Sequence, residues 1–180
     1  MPSILLSLLL ATLAFAGSAW AQAPKPDPAN TLVIELKTGR VLIELRPDLA
    51  PRHVERVKAL AKQGFYNGIV FHRVIEGFMA QTGDPTGTGT GGSGQAKLPA
   101  EFSSTPFDRG TIGAARTGDP NSADSQFFIV LKHSPHLNGQ YTVWGKVVEG
   151  MNHVDQIKRG EPVQNPDKMQ KVYLLADEKK

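Results

Sequence analysis

The chain has 180 residues, of which 40% are hydrophobic and 21% charged, an ordinary balance for one globular domain. It contains no cysteine, which excludes disulfides, thiolate metal sites, iron–sulfur clusters and cysteine nucleophiles. The net charge is only +3 and the basic residues are interleaved with acidic ones, so nothing indicates a nucleic-acid partner.

The first 21 residues carry no charged side chain and have the features of a targeting segment. The apolar run from Ile4 to Ala16 is shorter than the about 20 residues that span a bilayer, and it leads to the small-x-small sequence Ala19-Trp20-Ala21. We expect residues 1–21 to be a signal peptide, cleaved near Ala21, so that the protein reaches the periplasm or is secreted and leaves the membrane. An uncleaved membrane anchor is the alternative. The proline-containing residues 22–30 are expected to be a linker, and residues 31–180 the functional domain.

The first predicted elements of this domain are a hairpin and a helix. Alternating apolar side chains on both sides of Thr38-Gly39 predict a hairpin over Thr31–Arg46. Apolar residues then recur at helical spacing from Pro51, with Asp48 as the expected N-cap, until Gly64 ends the helix.

Short β-rich segments make up most of the remaining chain. They are Ile69–Ile75, Phe78–Gln81, Gly110–Ala114, Phe127–Leu131, Val143–Val148 and Val172–Leu175, and a second short helix is expected over Met151–Lys158. Many short strands with only two helices predict a mainly β domain, a closed and mostly antiparallel barrel.

Two segments resemble a known family. Residues 71–84 read FHRVIEGFMAQTGD, and residues 125–129 read SQFFI. Together with the order and spacing of the elements from Thr31 to Leu175, they resemble the cyclophilin-type peptidyl-prolyl cis–trans isomerases, and Ala115-Arg116-Thr117 is similar to the bacterial exported branch. The resemblance implies a closed antiparallel eight-stranded barrel capped by helices. It also implies catalysis of rotation about X–Pro peptide bonds without a cofactor or metal.

The chemistry of that reaction explains which residue types are needed. The barrier to rotation is about 18–20 kcal/mol, because the amide nitrogen shares its lone pair with the carbonyl. In the twisted state this lone pair becomes a hydrogen-bond acceptor, which a fixed guanidinium can stabilise selectively. The resemblance places Arg73 in this role, with Phe78 and Gln81 as the other catalytic residues.

The resemblance also assigns the residues that would bind the peptide substrate. They are His72, Met79, Ala115, Arg116, Thr117, Phe128, His136, Leu137 and Tyr141. His136 stands where many eukaryotic members carry a tryptophan that contacts cyclosporin, so we expect cyclosporin binding to be weak. Tyr141 stands where those members carry a histidine.

Several competing interpretations remain to be weighed. Residues 89–94 fit the dinucleotide pattern G-x-G-x-x-G, but Pro99 prevents a helix from following directly, so a mobile surface loop beside the substrate groove is favoured. His133 has no set of zinc ligands around it, while His53 and His153 are expected on helix surfaces.

The expected partners are extended proline-containing polypeptides, bound by a monomer. The alternative function is a proline-peptide binding module or holdase chaperone with little catalysis.

Overall fold

The structure is a computed structural model, and it describes residues 25–178. The predicted signal peptide at residues 1–21 and the start of the linker lie outside this range. The last linker residues are exposed and form a 3-10 turn at Pro28–Asn30, which Asp27 caps through its side chain. Among residues 25–178, none of the helices combines the length and the apolar character needed to cross a bilayer.

Within residues 25–178, eight strands form one antiparallel sheet, and the helices are short. The strands are β1 (Thr31–Leu36), β2 (Gly39–Leu45), β3 (Arg73–Ile75), β4 (Met79–Thr82), β5 (Thr111–Ala114), β6 (Phe127–Val130), β7 (Val143–Glu149) and β8 (Lys171–Leu174). The helices are α1 (Pro51–Lys62) and α2 (Met151–Val154), with further 3-10 turns at Pro135–Leu137 and Leu175–Asp177. The strand order across the sheet is β3-β4-β6-β5-β7-β2-β1-β8.

The sheet is curled but open, so the prediction of a closed barrel was wrong. Its edge strands β3 and β8 share no ladder, and within residues 25–178 only single bridges, such as Val70 with Lys168 and Val74 with Gly160, close the gap. The physical reason is that β3 has only three residues. Residues 69–72, predicted as its beginning, are loop, because here Phe71 donates its N–H to a loop carbonyl at Asp167 rather than to a strand.

The two faces of strands β4 and β6 serve two different apolar clusters. Side chains alternate across a strand, so Phe127 and Ile129 enter the main core, which also contains Trp144 and one face of α1. The alternate positions Met79 and Phe128 point to the opposite side and join a smaller cluster. This second cluster positions the candidate site.

The start of α1 differs from the prediction, because Asp48 does not cap it. Asp48 instead pairs with Arg46 at 2.6 Å, and the N-cap position is Ala50, which has no side-chain oxygen. The carboxylate of Glu101 accepts the first-turn N–H groups of Arg52 and His53, each at 3.1 Å. A distant carboxylate therefore provides the cap that a local residue was expected to provide.

Two histidines predicted on helix surfaces are placed differently. His53 is buried, and its Nδ1 lies 2.6 Å from a Glu101 oxygen. Burial lowers the pKa of His53, although Glu101 opposes this effect. His153 packs against the hairpin turn, where a Cβ on Gly39 would lie 2.4 Å from its ring. α2 itself is shorter than predicted and ends at Val154.

Candidate active site

The second cluster lies beneath a surface hollow of about 400 Å³, called here the first hollow. It is lined by Arg73, Phe78, Met79, Gln81, Ala115, Arg116, Phe128, Leu137 and Tyr141. All nine lining residues are among the site residues predicted from the sequence. Strands, a 3-10 turn and three loops thus bring together residues that are up to 68 positions apart, since Arg73 and Tyr141 share one wall.

Strand register explains why the central residues face the same way. Arg73 on β3 is directly opposite Gln81 on β4, which is opposite Phe128 on β6, which is opposite Gly113 on β5. Directly opposed residues point to the same face of a sheet, so one row carries the guanidinium, the amide and the aromatic ring. Gly113 is required here, because a Cβ would lie 2.3 Å from the Phe128 ring.

Arg73 is held by polar groups on two sides of its guanidinium. Its Nε donates to a carboxylate oxygen of Glu161 at 2.5 Å, and a terminal nitrogen lies 3.5 Å from the Gln81 side-chain oxygen. Gln81 in turn donates to the Gln126 oxygen at 2.9 Å. The Arg73 side chain is 39% exposed, so an incoming peptide can reach it.

Aromatic rings form the apolar wall of the first hollow. Phe128 stacks on Phe107 with the centroids 5.8 Å apart, and Tyr141 meets Phe128 edge-on at 5.7 Å. The guanidinium carbon of Arg116 lies 4.4 Å from the centre of the Tyr141 ring, within the range of a cation–π contact. The first hollow therefore combines an apolar aromatic surface with two cationic groups, Arg73 and Arg116.

Three predicted substrate-binding residues lie outside the first hollow. His136 is exposed and packs on the Phe78 ring at 5.2 Å between centroids, so it flanks the rim. Thr117 lines a neighbouring hollow. His72 is buried, and neither ring nitrogen has a hydrogen-bond partner within the described chain. Burial lowers the pKa of His72, which keeps the ring neutral near pH 7.

The neighbouring hollow, called here the second hollow, has a volume of about 780 Å³. It shares Gln81, Ala115 and Arg116 with the first hollow. Its other lining residues are Gly89, Thr90, Gly91, Lys97, Thr117, Ser122, Asp124 and Gln126. The two hollows therefore form one continuous groove with a common wall.

The glycine-rich loop, residues 84–94, borders the second hollow and is organised by a buried carboxylate. Asp84 accepts the N–H groups of Thr88, Gly89 and Gly91 at 3.1, 2.6 and 3.2 Å, in addition to bonds from Thr86. Burial alone would raise the pKa of Asp84, but these bonds outweigh it and lower the pKa to about 2. Because the loop N–H groups are already bonded, they cannot form the phosphate cradle of a dinucleotide site.

Two residues of the site network were not predicted. Gln126 links Gln81 to the glycine-rich loop by donating to two carbonyls at 3.0 and 2.8 Å, and it belongs to the SQFFI segment at residues 125–129. Glu161 is 88 positions from Arg73 and lies in a loop, where no sequence pattern marks it.

His133 bonds to Asp108 at 2.6 Å, and among residues 25–178 no three acidic or histidine side chains converge as metal ligands.

Comparisons with known proteins agree with this arrangement. Residues 31–176 match the family described as "Cyclophilin type peptidyl-prolyl cis-trans isomerase/CLD". A "Probable peptidyl-prolyl cis-trans isomerase" of Brucella suis is 54% identical over 173 residues, which cover 87% of this chain and 88% of that protein. A peptidyl-prolyl cis-trans isomerase of Helicobacter pylori is 43% identical over 143 residues, covering 76% of this chain and 86% of that protein.

Solved structures show the same fold. The cyclophilin AquaCyp293 from Hirschia baltica matches with a TM-score of 0.79 at 28% identity, covering 86% of this chain and 77% of that chain. A cyclophilin-type isomerase of Cryptosporidium parvum matches with a TM-score of 0.74 at 29% identity, covering 80% and 98%. Sequence similarity over nearly the whole domain and a common fold therefore place this chain in the cyclophilin family, and its activity is the cis–trans isomerisation of peptidyl-prolyl bonds.

Proposed function

We propose that the first hollow is where the isomerisation takes place and that Arg73 stabilises the twisted X–Pro bond. The observation that carries this proposal is the row of Arg73, Gln81 and Phe128 across three neighbouring strands. It sets a hydrogen-bond donor beside an apolar pocket, which are the two features that the reaction needs. In this arrangement the pocket holds the proline ring while the preceding carbonyl rotates.

Arg73 can act selectively because it is already oriented. Its Nε bonds to Glu161, while one terminal nitrogen is directed toward Gln81 and the hollow. A planar amide nitrogen is a poor acceptor, so this donor gains little from either ground-state isomer. When the bond is half rotated, the nitrogen lone pair accepts the N–H, and the guanidinium does not have to reorganise.

The main chain beside the hollow is suited to bind an extended peptide. Ala115 donates its N–H to Gln126, but within residues 25–178 neither the N–H nor the C=O of Arg116 is hydrogen-bonded. Free main-chain groups just beyond the end of β5 allow an extended peptide in the groove to form backbone hydrogen bonds with them. One solved relative, from Cryptosporidium parvum, was crystallised in the presence of the dipeptide Ala-Pro, which supports the proposal of a short proline-containing ligand.

A protease-coupled assay on an Xaa-Pro-Phe peptide tests the role of Arg73. We expect Arg73→Ala to lower kcat/KM by about 10²- to 10³-fold, the usual cost of removing one preorganised donor. Arg109→Ala is the matched control, since Arg109 is also an exposed arginine paired with a carboxylate, that of Asp155 at 2.6 Å, and lies outside both hollows. If Arg73→Ala retains the parent's rate, Arg73 does not carry the reaction.

The holdase alternative makes a different prediction for the same variant. A binding module would suppress aggregation of an unfolded protein through the apolar hollow, with no need for a donor at the prolyl nitrogen. We expect Arg73→Ala to lose the rate enhancement for refolding of a proline-limited protein. Retention of the full refolding effect by this variant would favour the holdase.

We propose further that the mature protein acts in the periplasm, or after secretion, on extended proline-containing chains. The support is the uncharged apolar segment before Ala21. In this proposal the protein is a monomer that needs no cofactor, binds no nucleic acid and leaves the membrane after cleavage. Cell fractionation and mass measurement of the purified protein test it: we expect a chain starting near residue 22, and an intact chain in the membrane fraction would contradict it.

Weak cyclosporin binding remains part of the proposal. His136 packs on Phe78 at the rim of the first hollow, at the position where the resemblance places the drug-contacting tryptophan. An imidazole provides less apolar area than an indole. We expect poor inhibition of the parent and stronger inhibition of His136→Trp, whereas inhibition of the parent at low nanomolar drug would contradict the expectation.

A further inference from the structure

The second hollow has more positive than negative charge available to a ligand. Lys97, Arg116 and Asp124 are its charged lining residues. Lys97 has 57% of its side chain exposed, whereas the Asp124 side chain is only 6% exposed. Lys97 is therefore accessible and Arg116 is partly exposed, whereas the carboxylate of Asp124 is buried.

The carboxylate of Asp124 is also already neutralised. It pairs with Arg56 at 3.1 Å and Lys97 at 3.2 Å, and it accepts the N–H of Ser93 at 2.9 Å as well as the Ser93 hydroxyl. The Arg56 side chain is itself only 11% exposed and does not line the hollow, so it neutralises Asp124 from the protein interior. An approaching ligand meets a net positive wall.

Arg116 is oriented by main-chain carbonyls, and no carboxylate of residues 25–178 pairs with it. Its guanidinium donates twice to the Gln140 carbonyl, at 3.2 and 2.8 Å, and once to the Thr117 carbonyl at 2.8 Å. A guanidinium has five N–H groups, so about two remain free, one on each terminal nitrogen. The guanidinium carbon also lies over the Tyr141 ring, 4.4 Å from its centre. No ion pair within residues 25–178 neutralises Arg116.

We propose that the second hollow binds an acidic side chain of the substrate, so that prolyl bonds with Asp or Glu nearby are preferred. A carboxylate can bridge the two free N–H groups of Arg116, which is the bidentate geometry that a guanidinium favours. Lys97 adds attraction from the other side of the hollow. This inference rests on the proposed function, because it assumes that the proline occupies the first hollow.

The spacing of an extended peptide sets which residue reaches the second hollow. An extended chain rises about 3.3 Å per residue, and side chains two positions apart share a face. A residue two positions from the proline therefore lies about 7 Å along the groove, on the same side as the proline ring. The two hollows share the wall formed by Gln81, Ala115 and Arg116, so this reach joins them.

The test compares peptides that differ at one position. Two series carry Glu, Gln or Lys either two residues before or two residues after the proline, and kcat/KM is measured at low and high salt. In one of the two series we expect kcat/KM for the Glu peptide to exceed that for the Gln peptide by about 3- to 10-fold at low salt. The Lys peptide should have a lower kcat/KM than the Gln peptide, and high salt should reduce these differences. Arg116→Gln should bring the Glu-to-Gln ratio close to one, Arg116→Lys should restore part of it, and Lys97→Gln should reduce it.

Arg109→Gln is the control, since it removes a positive charge remote from both hollows and should leave the ratio unchanged. Equal rates for Glu and Gln peptides in both series would overturn the inference, and so would a preference that survives in the Arg116→Gln, Lys97→Gln double variant. If the parent accelerates the Gln peptide without preferring Glu, only this inference fails. If it accelerates neither peptide, the proposed function fails with it.

Discussion

The two hollows share three residues but are built by different means. The first hollow depends on strands, whose register aligns Arg73, Gln81 and Phe128 in one row. The second depends on the glycine-rich loop, where Asp84 and Asp124 bind main-chain N–H groups. A sheet satisfies its own backbone groups, whereas a loop needs side chains to satisfy them.

Each hollow should therefore be sensitive to a different kind of substitution. The strand-built wall depends on apolar packing, so it should respond to a change of side-chain volume. The loop-built wall depends on buried carboxylates, so it should respond to a loss of charge and to acid. Gly91 shows how closely the loop packs on this carboxylate, because a Cβ there would lie 2.2 Å from an Asp84 oxygen.

The largest effect is expected from Phe128→Ala, which removes the ring that joins the row to the second cluster. Phe128 is 5% exposed and contacts the rings of Phe107 and Tyr141. We expect a loss of about 3–5 kcal/mol in the free energy of unfolding, measured by urea denaturation, together with loss of isomerase activity. Phe102→Ala, at a side chain that is 43% exposed, is the control and should change stability by less than about 0.5 kcal/mol. A small loss for Phe128→Ala would mean that packing does not hold this wall.

The next largest effect is expected from Asp84→Asn, which tests the loop-built wall. An asparagine resembles the protonated carboxyl, and lowering the pKa of Asp84 from 3.8 to about 2 corresponds to about 2 kcal/mol of folding free energy. Because the folded pKa is lowered, this stabilisation is fully present above about pH 4 and is lost as the pH falls through about 2. We expect the parent to lose stability over this range and the variant to lose less.

The same variant separates the two hollows. On a peptide with no acidic residue, which needs only the first hollow, Asp84→Asn should change kcat/KM little. On a peptide with the preferred acidic residue, the variant should lose part of the preference. Asp48→Asn is the control for stability, since Asp48 pairs with Arg46 at the surface with 58% of its side chain exposed. An acid profile shared by Asp84→Asn and the parent would refute the role of this carboxylate.

The smallest effect is expected from Glu161→Gln, which tests how firmly Arg73 is held. We expect kcat to fall by about 3- to 10-fold with little change in KM, equivalent to about 0.7–1.4 kcal/mol in the barrier. Stability should change little, because exposed ion pairs contribute at most about 1 kcal/mol. Glu76→Gln is a matched control, since Glu76 pairs with Arg159 at 2.5 Å, as Glu161 does with Arg73, but outside the first hollow. Equal kcat values for the two variants would show that Glu161 does not position Arg73.

Much of the site could be predicted from the sequence because it lies on strands. Alternation along β4 places Met79 and Gln81 on one face of the sheet. The same rule along β6 places Phe127 and Phe128 on different faces. The resemblance assigned roles to these positions, and every residue that lines the first hollow was among them. The roles themselves stay predictions until the variants are measured.

The misplaced predictions share one cause, which is that they depended on partners far away in the chain. Asp48 was a plausible local cap, but Glu101 binds the helix start from 48 positions beyond His53. His53 lies buried where it meets Glu101. The barrel was expected to close, but β3 is short and forms no ladder with β8, and only single bridges to loop segments join this side of the sheet.

The mainly β class, the order of the elements and the side chains that share a face could all be predicted from the sequence, since strand periodicity is a local property of the backbone. The folded structure was needed to show that Glu161 meets Arg73, that Asp84 organises the glycine-rich loop, and that Arg116 faces the groove with no acidic partner among residues 25–178. The physical reason is that charges on separate loops meet only where the whole fold brings those loops together, and no local pattern records that distance.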